Sequence, residues 1–175
     1  KAKHIFGLVV PALGAAVLAL AFSADYRRAR MLNFLNPWKD AAGDGYQLVQ
    51  SFYALGSGKL LGLGLGNSRQ KCFYMPEPHN DFIFSIIGEE LGFVGAVFVI
   101  SLFILFIWRG ILIAQRAKDT YGTLLAIGIT SIIAVQAIIN IAVVTGSMPV
   151  TGVPLPFISY GGTSLVITMT AMGIL

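Results

Sequence analysis

Residues 73–108 read FYMPEPHNDFIFSIIGEELGFVGAVFVISLFILFIW, and this stretch decides the fold class. It opens polar and stiffened by Pro76 and Pro78. From Phe82 onward it is apolar for longer than the ~20 residues a helix needs to cross a bilayer. Only Glu89 and Glu90 are charged within that run. Asp81 stands at the junction, where the helix is predicted to begin. A carboxylate held there, at a membrane surface, is placed to do chemistry on a lipid-linked molecule.

The rest of the chain has the same character. Of 175 residues, 56% are hydrophobic and 11% charged, with mean hydropathy +0.79. Soluble domains carry about 25% charged residues, so the composition is that of an integral membrane protein. Charge is also segregated: none occurs over 120–175, and seven of the eight acids lie between Asp25 and Glu90. The net charge of +4 falls on no basic stripe of a soluble module, so no nucleic-acid partner is read from it. A single cysteine, Cys72, excludes an internal disulfide and argues against a Cys-based metal site. No metal ligands are assigned.

Four membrane-spanning helices are predicted, at 5–22, 82–108, 121–145 and 158–175. Pro11 should kink the first. Ile5 to Phe22 is not read as a signal peptide, because no small-residue cleavage site follows it. The chain begins with Lys1 and Leu175 falls in mid-helix, so a fragment of a longer membrane protein is expected. The connection 109–120 is short and basic. Residues 146–157 carry Pro149, Pro154 and Pro156 and predict an extended or re-entrant loop. Residues 23–80 form a far longer loop, rich in aromatics and so expected to fold. Within it, Asp44 with Gln47 three residues later resembles a helix start. Leu48, Val49, Phe52 and Leu55 follow at helical spacing, predicting an amphipathic helix over 46–55 on the membrane or over the bundle, stopped by Gly56-Ser57-Gly58. The run Gly62-Leu63-Gly64-Leu65-Gly66 lacks the spacing of a dinucleotide fingerprint. It reads as a turn where backbone approaches something closely. Gln136 and Asn140 share one helix face and read as helix-to-helix contacts; Gly161, Gly162 and Ser164 read as a close-packing surface. A bare count of basic residues favours placing the long loop inside, the alternative being that its cations bind an anionic lipid head group, so the sequence alone leaves the orientation open.

Three separated motifs now carry a resemblance. Asn36-Pro37-Trp38-Lys39-Asp40 with Gly45-Tyr46-Gln47-Leu48-Val49-Gln50-Ser51 is the first. Gly64-Leu65-Gly66-Asn67-Ser68-Arg69-Gln70-Lys71, followed by Pro76 to Phe84 and Gly88-Glu89-Glu90-Leu91-Gly92, is the second. Pro154-Leu155-Pro156-Phe157-Ile158-Ser159-Tyr160-Gly161-Gly162-Thr163-Ser164 is the third. In this order they resemble the SEDS family (FtsW, RodA and SpoVE), and Asn67 to Lys71 leans toward the FtsW and SpoVE branches. Asn80 stands where Thr is common, while His79 and Asp81 match. The resemblance implies an all-α integral membrane protein, a polytopic helix bundle of which this chain is the C-terminal portion, with a large folded loop facing outward. It implies a bacterial cytoplasmic (inner) membrane location and polymerisation of lipid II into glycan strands. It also implies a class B penicillin-binding transpeptidase as partner. The metal requirement stays open, a divalent cation included, as does a role in division, elongation or sporulation.

Glycosyl transfer of this kind wants a base near the attacking hydroxyl and positive charge near the departing pyrophosphate. Asp81 is the candidate base; its plain reading is a helix N-cap. Arg69 and Lys71 are candidates for the pyrophosphate, with Arg27, Arg28 and Arg30 an alternative set that equally suits lipid head groups. Glu77 reads as a second acid or an ion-pair partner, and His79 as a proton relay or a loop hydrogen bond. Glu89 and Glu90, about 100° apart on the helix, cannot share one role; one is expected to face the bundle interior and both are candidates for substrate binding, the plain reading being that the helix begins late and both sit at the interface. The alternative function is a lipid II transporter or flippase, or a non-catalytic membrane scaffold of the division machinery.

Overall fold

The computed structural model describes Pro11 and residues 34–43, 45–70 and 80–175, and among these the regular structure is helical, with no strand. Two compact units are present, Lys1–Tyr46 and Gln47–Leu175. In the first, Pro37 opens a short 3-10 turn, Pro37–Asp40, which suits proline's missing N–H. The predicted span 5–22 and the Asp44 helix cap lie outside the described residues.

Among its described residues, the second unit carries four helices. The first, α1 (Tyr46–Gly58), buries Leu48, Val49, Ser51, Ala54 and Gly58 on one face. Ser51 Oγ donates to the Val144 carbonyl at 2.8 Å, so α1 lies over the bundle. The helix passes through the glycines expected to stop it. Gly58 lies on the Gly88 carbonyl, where a side chain would collide, and that contact holds the extra turn. Lys59, in the left-handed region at φ 47°, ends it.

Helix α2 (Ile83–Arg116) is longer than the predicted span and is broken at Gly92, whose φ of 69° and ψ of −168° are not helical. A break strands backbone groups, and the glycine run answers them. Leu63 and Gly64 N–H donate to the Glu89 and Glu90 carbonyls at 2.9 and 3.0 Å. Phe93 and Val94 N–H donate to the Lys59 and Leu60 carbonyls at 2.9 and 3.2 Å. A side chain on Gly62 would strike the Glu90 carbonyl, and one on Gly92 would strike Gly62. The close approach read from the sequence is therefore a wedge of backbone laid into a helix break.

Arg109 and Arg116 belong to α2, which leaves only 117–119 to connect it to α3 (Thr120–Val144). Asp119 caps α3, its side chain accepting the Gly122 N–H at 2.9 Å. Gly110 allows α2 close to Thr130 of α3. The proline-rich loop extends to residue 161, turning through Phe157 at φ 66°, and α4 (Gly162–Ile174) is shorter than predicted. A side chain at Gly162 would meet nothing within 4 Å among the described residues. Ser164 and Thr168 of α4 line a cleft together with Gln136 of α3.

Phe82, Phe84, Val99, Phe103, Ala137, Val143, Val144 and Leu155 form the core where the start of α2, the end of α3 and the proline-rich loop converge. Elsewhere α2 and α3 are barely covered. Their most apolar 18-residue windows are only 22% and 33% buried, with Phe98, Leu105, Ile132 and Ile138 at least half exposed. The core helix of a soluble domain is covered, whereas a helix facing lipid shows this apolar surface. Among the described residues the chain is thus all-helical, with two helices long and apolar enough to cross a membrane.

Candidate active site

Asp81 sits one residue before the cap of α2. The cap position itself is held by Phe82, without a side-chain cap bond, so the plain N-cap reading of Asp81 does not describe this helix start. Ser85 N–H and Oγ both bond the Phe82 carbonyl, at 3.0 and 2.7 Å, and this closes the first turn. Phe82 is 1% exposed and anchors the turn in the core, while Asp81 is half-buried beside it.

Two side chains from distant parts of the chain hold the backbone around Asp81. Asn140 Nδ2, on α3, donates to the Asp81 carbonyl and to the Val153 carbonyl, both at 2.8 Å. Ser159 Oγ donates to the Asn80 carbonyl at 2.5 Å and accepts the Leu155 N–H at 2.7 Å. The carboxylate faces Gly152: a methyl group there would lie 3.3 Å from Asp81 Oδ2. Asn140 was read as a helix-to-helix contact, but its partners are carbonyls in segments 59 and 13 residues away in sequence. Neither the position of Gly152 nor the bond of Ser159 carries a local sequence signal, although Ser159 lies inside the third motif.

The two acids of α2 part as their 100° separation requires. Glu89 is 1% exposed, and its carboxylate accepts Ser68 Oγ at 2.5 Å and Arg69 N–H at 3.1 Å. Glu90 is half-buried, and its Oε1 is buried without a hydrogen-bond partner among the described residues. Arg69 is anchored by its backbone while the residue as a whole is exposed. Lys71, Glu77 and His79 lie outside the described residues, as do Arg27, Arg28 and Arg30. Chemically, the site offers a partly exposed Asp81 on a turn whose carbonyls are tied by Asn140 and Ser159, with an arm bearing Arg69 tied to the same helix two turns on.

A partly exposed acid at the head of a long apolar helix, bordered by a proline-rich loop, puts the candidate site where the helices meet their loops. The chain belongs to the FtsW, RodA and SpoVE family, described as cell cycle proteins, whose family model matches residues 1–175. It is 55% identical over 158 residues to stage V sporulation protein E of Bacillus subtilis, covering 90% of this chain and 43% of that protein. It is 45% identical over 175 residues to a probable peptidoglycan glycosyltransferase FtsW of Geobacter metallireducens, covering 100% and 46%. It also matches a chain solved in work on "Structural coordination of polymerization and crosslinking by a peptidoglycan synthase complex". There the TM-score is 0.71 and the identity 32%, over 97% of this chain and 46% of that one. The chain therefore spans less than half the length of these relatives.

Proposed function

We propose that the protein to which this chain belongs is a peptidoglycan glycosyltransferase. It polymerises lipid II into glycan strands and releases polyprenyl pyrophosphate. Asp81 takes the proton from the attacking sugar hydroxyl as the new glycosidic bond forms. Arg69 and Lys71 meet the negative charge of the departing pyrophosphate, a task suited to a guanidinium fork and a mobile ammonium. Glu77 and His79 lie on the same arm and contribute to substrate binding there. Glu89 is already engaged by Ser68 and Arg69, which supports a role in holding that arm, and the Glu90 backbone carbonyl accepts the Gly64 N–H at the break. The observation that carries the reading is the tied, partly exposed Asp81 at the head of α2, in a chain similar to proteins named as such enzymes.

In this reading the chain supplies the last four spans, at 5–22, 82–108, 121–145 and 158–175 as the sequence marks them. Residues 23–80 form the large outward loop, in the bacterial cytoplasmic membrane. A class B penicillin-binding transpeptidase is the partner.

The transporter alternative has one observation in its favour, the broken helix, since transporter sites form between discontinuous helices. Here, however, four backbone groups freed at Gly92 are already engaged by residues 59–64: the two N–H donors are fully used and each carbonyl has accepted one bond. Turnover of purified lipid II by the full-length protein tests the proposal. Asp81→Asn should abolish glycan synthesis while lipid II binding persists; near-normal synthesis by that variant removes Asp81 as base.

A further inference from the structure

We infer that Asn140 and Ser159 are positioning residues that hold the Asn80-Asp81 backbone against the proline-rich loop and thereby fix where the Asp81 carboxylate points; this rests on the reading of Asp81 as base. The two side chains come from different elements and take consecutive carbonyls, Asp81 from α3 and Asn80 from the loop. Each also takes a second group on the loop. Asn140 binds the Val153 carbonyl and Ser159 the Leu155 N–H. The four bonds thus stitch residues 80–81 to 153–155 from both sides. Gly152, next to the stitched segment, is what the carboxylate faces.

The orientation of the Asn140 amide is fixed by its partners. Two carbonyl oxygens at 2.8 Å accept and cannot donate, so the NH2 group must face them. Its Oδ1 is then left buried, without a hydrogen-bond partner among the described residues, on a side chain 1% exposed. A residue that only packed helices together would serve better as an apolar side chain, because a buried unmet acceptor is costly. Two donated bonds aimed at the same turn and loop account for the amide at this place. Ser159, 8% exposed, spends its hydroxyl wholly on the same two segments.

The test uses the full-length enzyme with purified lipid II and a hydrogen-exchange measurement. A misplacement of about 1 Å can lower turnover on the order of 100-fold without touching substrate affinity. Asn140→Ala is expected to lower kcat about 10- to 100-fold with KM within about twofold. Amides over 150–155 should exchange faster, while those of α2 and α3 stay protected. Ser159→Ala should give a smaller loss of the same kind. A folded Asn140→Ala with wild-type kcat overturns the inference. So does a raised KM at unchanged kcat, which would mean substrate contact. If Asn140→Ala fails to fold, Ser159→Ala decides by the same two criteria. Asp81→Asn runs alongside. A dead Asp81→Asn with a normal Asn140→Ala removes the clamp alone, whereas an active Asp81→Asn removes the base assignment whatever Asn140 does.

Discussion

At Gly152 a hydrogen in place of a side chain decides how much room the Asp81 carboxylate has. The residue is left-handed, at φ 67°, and a methyl group there would press on Oδ2. Gly152→Ala should cost about 1–2 kcal/mol for the left-handed backbone and displace the carboxylate. Expected are a fall in thermal midpoint of a few degrees and a larger proportional fall in glycan synthesis; normal values of both would separate Gly152 from the site. Glu89 poses a different question. Its carboxylate accepts two donors in a buried setting, and Gln offers one oxygen and an amide that faces a donor. Glu89→Gln should destabilise the protein by about 1–3 kcal/mol, read from thermal unfolding, with KM for lipid II unchanged. A raised KM at unchanged stability would return Glu89 to the substrate.

The elements owe their arrangement to the break in α2. Gly92 occupies a region open only to glycine, and residues 59–64 fill the gap with four backbone bonds. Gly92→Ala should therefore cost more than an ordinary helix substitution. The strain alone is about 1–3 kcal/mol, and the wedge must withdraw as well. The measurement is hydrogen exchange. Amides of Leu63, Gly64, Phe93 and Val94 should lose protection together, while those of α3 hold. Independent loss at only one of the two segments would contradict the reciprocal pairing. Helix α1 depends on Leu48, 2% exposed on its buried face. Leu48→Ala should remove about 2–5 kcal/mol, read from thermal unfolding.

For the molecule as a whole, uncovered apolar surface dominates. Helices α2 and α3 expose large side chains along most of their length, and α4 exposes Val166, Ile167 and Met169. Lipid covers such faces, and so do further helices of a bundle. The chain matches less than half of its relatives' length, so in the proposed function part of the substrate cavity is supplied from outside these residues. Residues 1–175 alone, reconstituted in liposomes with lipid II, should yield no glycan product where the full-length protein does. Sustained synthesis by residues 1–175 would place the complete active site within them.

Composition and order along the chain determined the class of this protein. Runs of apolar residues longer than a bilayer's requirement mark α2 and α3, because lipid offers the backbone no partner but its own helix. The same linear reading marked Asp81, the amphipathic α1 and the glycine run as a place of close approach. It missed the break at Gly92, since a single glycine in an apolar run looks like any other until a second backbone is laid beside it. It also gave Asn140 the wrong partners. Nothing local to residue 140 distinguishes a bond to a neighbouring helix from a bond to the carbonyls of Asp81 and Val153. Local periodicity reports which face of a helix is apolar. Which distant carbonyl a buried donor reaches is decided only when α2, α3 and the proline-rich loop have packed, because that choice depends on distances no spacing along the chain encodes.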